Sequence, residues 1–157
     1  YIQSMKLQDL VIASPDVGGS KRASSYAKYL GVDLVLCHKQ RAKANVVESM
    51  KIIGDVKGKN VIILDDMVDT AGTITKAADL MIENGALSVR AFASHGVLSD
   101  PATERIEKSK LTAIYFTDSI PLKKESEKIK VLSVAELIAN TIINVNTNKS
   151  ISSSYLV

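Results

Sequence analysis

Short apolar runs alternate with amphipathic segments along this chain. The most pronounced run, residues 61–64, holds four consecutive apolar residues rich in β-branched side chains, which favours a strand buried on both faces. Segments with helical spacing of apolar residues follow most of the runs. The pattern predicts strands at 10–13, 32–37, 61–64, 87–93, 111–116 and 129–132. It predicts helices at 21–30, ended by Gly31, at 74–84, after Asp100 as the N-terminal cap, and from Ser133.

This alternation predicts an α/β fold with a mostly parallel, doubly wound sheet, because right-handed βαβ crossovers connect parallel strands. In such a sheet the loops that follow the strands emerge along one edge. We therefore expect the segments 14–19, 38–45, 65–73 and 117–121 to converge with His95, although they are far apart in sequence.

Polar residues follow the central run at once. Asp65 and Asp66 end it, and a loop with Asp69, Thr70, Ala71, Gly72 and Thr73 leads into a helix. Small residues let the backbone close around an anion, and a helix N-terminus directs free N–H groups and its positive dipole end toward one. The carboxylates can accept hydrogen bonds from sugar hydroxyls or share a divalent metal. The alternative, in which the two carboxylates only cap the helix, suits one Asp better than two.

Two other loops carry complementary chemistry. The first strand is followed by Asp16, Val17, Gly18 and Gly19, where Asp16 can hold Mg²⁺ while backbone amides approach a polyphosphate. The second strand runs into a basic segment predicted to be a mobile loop, in which Lys39 and Arg41 can neutralise charge on a transferring phosphoryl group. His38 and His95 are too few for a metal site and are expected to form local hydrogen bonds.

Composition narrows the class of protein. The chain has 157 residues, 46 % of them hydrophobic, which suits one domain with a real core. A net charge of +3 and only seven aromatic residues argue against nucleic acid as a partner, and no apolar run approaches membrane-spanning length. The single cysteine, Cys37, indicates a buried thiol in a reducing compartment, so a cytoplasmic protein is expected.

The ends of the chain carry separate expectations. We interpret residues 1–9 as the remnant of an upstream segment and residues 146–157 as a polar C-terminal tail of a single domain spanning 1–157.

The motif D-D-x-x-D-T-x-G-T at 65–73 resembles the phosphoribosyl pyrophosphate (PRPP) binding motif of phosphoribosyltransferases and ribose-phosphate pyrophosphokinases. Four further segments strengthen the resemblance: SPDVGG at 14–19, HKQRAKAN at 38–45, SHGVLSDPA at 94–102 and TDSIPL at 117–122. With them, the chain resembles the C-terminal half of the ribose-phosphate pyrophosphokinase family. The resemblance implies a type I phosphoribosyltransferase-like fold. It also implies the parent reaction, in which ribose 5-phosphate and ATP give PRPP and AMP for nucleotide biosynthesis with Mg²⁺ required.

The resemblance assigns roles to residues. Asp69, Thr70, Ala71, Gly72 and Thr73 would bind the 5-phosphate, and Asp65 and Asp66 the ribose hydroxyls. Asp16, in the pyrophosphate loop with Val17, Gly18 and Gly19, would ligate Mg²⁺, and Lys39 and Arg41 would be catalytic. Ser152 and Ser154 correspond to part of a regulatory site.

The family's N-terminal half, with most of the ATP site, is absent from this sequence, so we expect the chain alone to be inactive. The parent is expected to be a homo-oligomer, a hexamer built from dimers. Two alternatives stay open: a phosphoribosyltransferase that consumes PRPP, and a non-catalytic regulatory subunit on the same fold.

Overall fold

Strands and helices alternate along the described part of the chain. The computed structural model describes residues 1–40 and 49–152, with the backbone alone at 39, 40 and 49. A short 3-10 helix (Gln3–Met5) precedes the main elements. These are β1 (Leu10–Ser14), α1 (Ser20–Leu30), β2 (Asp33–Gln40), β3 (Ser49–Ile53), β4 (Asn60–Val68), α2 (Gly72–Glu83), β5 (Ser88–Gly96), α3 (Ala102–Lys108), β6 (Ala113–Thr117), β7 (Ile129–Leu132) and α4 (Ala135–Asn146).

The strands form one seven-stranded sheet in the order β3-β2-β1-β4-β5-β6-β7. Every neighbouring pair is parallel except β2 and β3, which are antiparallel. The predicted α/β fold with a mostly parallel sheet is confirmed. The strand order reverses between β1 and β4, and a ligand crevice is expected at such a switch point.

The two faces of the sheet are covered by different helices. On one face, Ala23 and Ala27 of α1 pack with Ile12, Ile62 and Leu64. On the other, α2 and α3 pack on alternate residues of the same strands, among them Val11, Ala13, Val61 and Ile63. Because successive side chains of a strand point to opposite faces, the apolar run of β4 supplies both cores.

Three strands continue three or four residues beyond their predicted ends. β4 runs through Asp65 and Asp66 to Val68, and β5 runs through His95 to Gly96, because these segments pair with each other (Asp65 with Ala93, Met67 with His95, Val68 with Gly96). β2 likewise includes His38, Lys39 and Gln40, which pair with β3. The prediction of a loop beginning at His38 is therefore wrong for these three residues.

Helix ends agree only in part with the prediction. Gly31 ends α1 in the left-handed conformation (φ 68°), as predicted for a glycine after a helix. Asp100 does not cap α3, whose N-cap is Pro101 without a side-chain hydrogen bond. The Asp100 carboxylate instead accepts a hydrogen bond from the Lys124 ammonium at 2.7 Å. Ser133 does not begin α4, since its hydroxyl bonds to Asp118 and the helix starts at Ala135.

The predicted burial of Cys37 is confirmed, and burial raises the pKa of its thiol to about 11. Ile2 and Leu7 pack against the face covered by α1. The assignment of residues 1–9 to an upstream segment and of 146–157 to a tail stays a prediction. In residues 1–40 and 49–152, the helices are all too short or too polar to cross a membrane.

Candidate functional site

The candidate site lies at the switch point between β1 and β4, where the chain leaves each strand toward a helix on opposite faces of the sheet. A cavity of about 290 Å³ there is lined by Asp16, from the β1–α1 loop, and by the continuous segment 65–74. The structure thus brings together two sequence segments that the pattern placed in separate loops.

The segment after β4, residues 69–73, forms a turn that we call the phosphate turn. Its third residue, Ala71, is buried and has a left-handed backbone (φ 60°), which is uncommon for a residue other than glycine. Ala71 is also the N-cap of α2 and gives the helix no side-chain cap. The first amides of a helix have no partner within it, so this N-terminus can receive an anion.

Asp65 and Asp66 lie at the end of β4, next to the phosphate turn. Their side chains are 21 % and 64 % exposed. Burial, opposed by the Asp66 backbone N–H and reinforced by the nearby Asp66 and Asp16 carboxylates, raises the pKa of Asp65 to about 6. Hydrogen bonding with Asp65, then with Arg22, holds the pKa of Asp66 below its ordinary value. Neighbouring acids of unequal acidity suit the binding of hydroxyls, which both donate and accept hydrogen bonds.

The β1–α1 loop is held by its own polar groups. The Ser14 hydroxyl donates to the Asp16 carbonyl oxygen at 2.7 Å, and the Gly19 N–H donates to Asp16 Oδ1 at 2.8 Å. A Cβ at Gly19 would lie 2.7 Å from Ser14 Oγ, so a larger residue would clash with Ser14. Val17 and Gly18 are exposed between these fixed points, on the open side of the loop.

The chemistry of these donors fits one Mg²⁺ held together with a polyphosphate. Among the described residues there is no cluster of three or more His, Cys, Asp or Glu side chains that could hold a metal without other ligands. Mg²⁺ commonly takes one or two carboxylates, with substrate phosphates and water completing its shell. Asp16 offers one such carboxylate, since Gly19 occupies only Oδ1.

Lys39 lies on the same edge of the sheet as these loops. Its backbone pairs with Met50 of β3, and Met50 lines a second cavity, of about 460 Å³, together with Thr70, Gly72 and Thr73. The register therefore brings the C-terminal end of β2 toward the phosphate turn. Arg41 lies outside the described residues.

The segments at the C-terminal ends of β5 and β6 are hydrogen-bonded to each other at this edge of the sheet. The His95 ring nitrogen Nδ1 lies 2.9 Å from Ser119 Oγ, and the Thr117 hydroxyl donates to the Ser94 carbonyl at 2.7 Å. The local hydrogen bond predicted for His95 is present. Ser152 is exposed, and its backbone N–H donates to Ser150 Oγ at 3.2 Å. It is not among the residues that line the cavity, and Ser154 lies outside the described residues.

Two arginines near the site were not predicted from the sequence. Arg22, in the first turn of α1, lies 3.0 Å from Asp66 Oδ2 and 3.9 Å from Asp65 Oδ1. Arg105 of α3 donates from Nη1 to the Thr70 carbonyl oxygen at 2.9 Å. The need for a cation beside two adjacent acids was a usable signal, and Arg22, three residues after the glycine pair, was a candidate for it.

Comparisons with known proteins agree on one family. The family model described as phosphoribosyl synthetase-associated domain matches residues 40–157. A ribose-phosphate pyrophosphokinase of Porphyromonas gingivalis is 59 % identical over 156 residues, which are 99 % of this chain and 50 % of that protein. One from Wolinella succinogenes is 53 % identical with the same coverage. The chain thus spans about half the length of the curated relatives it matches.

A solved structure supports the same relationship. The phosphoribosylpyrophosphate synthetase of Mycobacterium smegmatis superimposes with a TM-score of 0.81 at 42 % identity, over 89 % of this chain and 46 % of that one.

Proposed function

The chain belongs to the phosphoribosyl synthetase-associated domain family, and from that premise we propose that it is the ribose 5-phosphate-binding half of a ribose-phosphate pyrophosphokinase. The observation that carries this proposal is the single cavity shared by Asp16, Asp65, Asp66 and the phosphate turn. In this cavity a helix N-terminus that can bind an anion lies beside carboxylates that can accept hydrogen bonds from sugar hydroxyls. Ribose 5-phosphate carries both a phosphate and sugar hydroxyls.

In the proposed reaction the C1 hydroxyl oxygen of ribose 5-phosphate attacks the β-phosphorus of ATP. The bond from that phosphorus to the oxygen bridging the α- and β-phosphates breaks, the hydroxyl proton is lost, and PRPP and AMP result. The phosphate turn would hold the 5-phosphate, and Asp65 and Asp66 the ribose hydroxyls. These two sets of contacts would fix the position of the attacking C1 oxygen. Such positioning accounts for much of the lowering of the barrier in phosphoryl transfer.

The remaining residues act on the diphosphoryl side. Val17, Gly18 and Gly19 would let the polyphosphate approach the main chain, and Asp16 would hold Mg²⁺. A bound Mg²⁺ neutralises phosphate charge. Lys39 and Arg41 are proposed to supply cations to the transferring group. The residues that bind adenine are proposed to lie outside this chain, in the half of the longer relatives that it does not cover, within a cytoplasmic homo-oligomer.

Binding of ribose 5-phosphate by the chain tests this proposal directly. We expect calorimetry to show saturable binding of ribose 5-phosphate and weaker binding of ribose or inorganic phosphate alone. The Asp65→Asn/Asp66→Asn variant should lose about tenfold in affinity for ribose 5-phosphate, since charge-assisted hydrogen bonds to hydroxyls are lost. Affinity for inorganic phosphate should not fall.

A matched control is Glu136→Gln, which removes one exposed carboxylate on α4 and should change neither affinity. Absence of ribose 5-phosphate binding at millimolar concentration, or equal binding by the double Asn variant, would contradict the proposal. In a coupled assay of AMP release the chain alone should stay at background.

A phosphoribosyltransferase remains a second candidate on fold alone. The adenine phosphoribosyltransferase of Giardia lamblia superimposes with a TM-score of 0.55 at 16 % identity, over 68 % of this chain. This likeness confirms the phosphoribosyltransferase-like fold and carries no information about the acceptor. Transfer of the phosphoribosyl group from PRPP to a nucleobase by this chain would establish that candidate instead.

A further inference from the structure

The phosphate turn has two sides, and different residues line each of them. Thr70, Gly72 and Thr73 line both the cavity that contains Asp16 and the cavity that contains Arg105 and Lys108. The turn is therefore the wall between the two cavities. Ala71, in contrast, lines only the cavity with Asp16.

Arg105 reaches the turn from the second cavity. Its Nη1 donates to the Thr70 carbonyl oxygen at 2.9 Å, and the same nitrogen would lie 3.5 Å from a Cβ placed on Gly72. The neighbouring residue Ile106 is fully buried and packs α3 into the core, so the base of the Arg105 side chain is fixed. One guanidinium thus lies against the turn on both sides of Ala71, at Thr70 and at Gly72.

Holding the Thr70 carbonyl also sets the direction of the next amide. The peptide unit between Thr70 and Ala71 is planar, and in a trans peptide the C=O and N–H point to opposite sides. A carbonyl drawn toward Arg105 therefore turns the Ala71 N–H away from it, to the side of the cavity with Asp16. That is the side on which the proposed phosphate would bind.

The left-handed backbone of Ala71 makes such support necessary. A residue with a Cβ is disfavoured in this conformation and stays in it only when surrounding contacts hold it. The Thr75 hydroxyl, which donates to the Ala71 carbonyl at 2.7 Å, holds the far end of the same residue. Arg105 and Thr75 thus fix the two peptide units that flank Ala71.

We infer that Arg105 is a positioning residue, which holds the Thr70–Ala71 peptide so that its amide faces the substrate phosphate, without contacting the substrate itself. This inference rests on the proposed binding of ribose 5-phosphate by the phosphate turn. It assigns a role in the substrate site to a residue 35 positions beyond Thr70, on a helix that does not line the substrate cavity.

The test compares Arg105→Met with Lys108→Met. Both changes remove a cation that lines the second cavity, but Lys108 pairs with Glu104 on its own helix and is outside the turn. Arg105→Met should weaken ribose 5-phosphate binding by about tenfold, because the Ala71 N–H would no longer be held toward the phosphate and one charge-assisted hydrogen bond to the phosphate would be lost. Lys108→Met should leave it within about twofold, since its ion pair is exposed. Both variants should remain folded under the conditions of the binding measurement, which denaturant unfolding checks.

Two further readouts separate positioning from direct contact with the phosphate. The amide resonance of Ala71 should shift in free Arg105→Met and not in free Lys108→Met. The salt dependence of the affinity that remains should equal that of the unsubstituted protein, because no cation bound to phosphate has been lost.

Each outcome decides the inference. Unchanged affinity in Arg105→Met, with the unsubstituted protein binding ribose 5-phosphate, would overturn the role of Arg105 and leave the proposed function standing. A reduced salt dependence would show Arg105 to be a direct phosphate ligand and would also overturn it. If the unsubstituted protein fails to bind, the proposed function itself has failed.

Discussion

At the scale of single residues, the site concentrates negative charge before any ligand is bound. Asp16, Asp65 and Asp66 line one cavity, and the Arg22 guanidinium reaches both of the adjacent acids. Like charges close together cannot all ionise at their ordinary pKa. Asp65, the less exposed member of the adjacent pair, retains its proton to higher pH.

The protonation of Asp65 is measurable. A carbon-13 titration of the aspartate carboxyl groups should give Asp65 a midpoint of about 6. The Asp66→Asn variant should lower that midpoint, because a neighbouring negative charge is removed, and leave it above the ordinary value of 3.8, because burial is the largest cause of the shift. A midpoint at or below 3.8 in the unsubstituted protein would contradict the site as described.

The raised pKa of Asp65 also makes the stability of the fold depend on pH. The folded pKa of Asp65 lies above its ordinary value, so between about pH 4 and pH 6 the folded state holds more protons than the unfolded chain. As the pH rises through this interval, Asp65 lowers the free energy of unfolding. We expect Asp65→Asn to remove this decline, measured by denaturant unfolding at several pH values. A decline that persists unchanged in Asp65→Asn would assign it to other groups.

At the scale of the element, the β1–α1 loop depends on one of its two glycines more than on the other. Neither has a left-handed backbone, so conformational freedom is not the reason for either. A Cβ at Gly19 would lie 2.7 Å from Ser14 Oγ, a buried atom that holds the loop, whereas a Cβ at Gly18 would meet only the Asp16 carboxylate, at 3.3 Å. The two positions thus differ in packing alone.

This difference predicts unequal effects of the same substitution. Gly19→Ala should lower the free energy of unfolding by about 1–3 kcal/mol, as overpacking does, because Ser14 must give up its hydrogen bond to Asp16. Gly18→Ala, the matched control, should change it by less than about 1 kcal/mol, since an exposed side chain can move aside. Denaturant unfolding of both variants provides the comparison, and equal losses would show that the close approach of Ser14 is not what limits the loop.

The elements that sequence predicted well are those decided by apolar runs. The central residues of β1, β4 and α1 follow from burial, which depends on side-chain type. The ends of β4 and β5 were missed because Asp65 and His95 are held there by backbone pairing with each other's strand, which polarity does not signal. β3 was missed because a basic segment separates it in the sequence from β2, the strand with which it pairs. The capping role given to Asp100 was wrong because a distant lysine, Lys124, competes for its carboxylate.

The site shows the same division. The motif residues 65–73 and Asp16 were found because local chemistry marks them, and topology then brought them to one cavity. Arg105 was not found, because nothing local to α3 signals that its guanidinium meets the Thr70 carbonyl. Contacts made by side chains across elements need coordinates.

At the scale of the whole molecule, α4 stands apart from the described core. It contains no buried residue, and five of its apolar residues are each more than half exposed: Leu137, Ile138, Ile142, Ile143 and Val145. Exposed apolar groups of this extent are a liability for association in solution.

We expect the chain to self-associate at high concentration through this helix. Ile138→Glu/Ile142→Lys, an acid and a base one helical turn apart, should raise the concentration at which association begins and change the free energy of unfolding by less than about 0.5 kcal/mol. Asn140→Glu/Asn144→Lys places the same charges on the same helix, leaves the apolar residues intact and should have a smaller effect. Light scattering and sedimentation measure the difference, and equal behaviour of the two variants would show that charge alone governs solubility.

The position of β1 and β4 inside the sheet shields the candidate site from changes at the sheet margins. Both strands are hydrogen-bonded on both sides, so the distance between Asp16 and the phosphate turn does not depend on what borders the sheet at β3 or β7. Changes to the strands and loops at those margins should therefore leave the spacing of the candidate site intact.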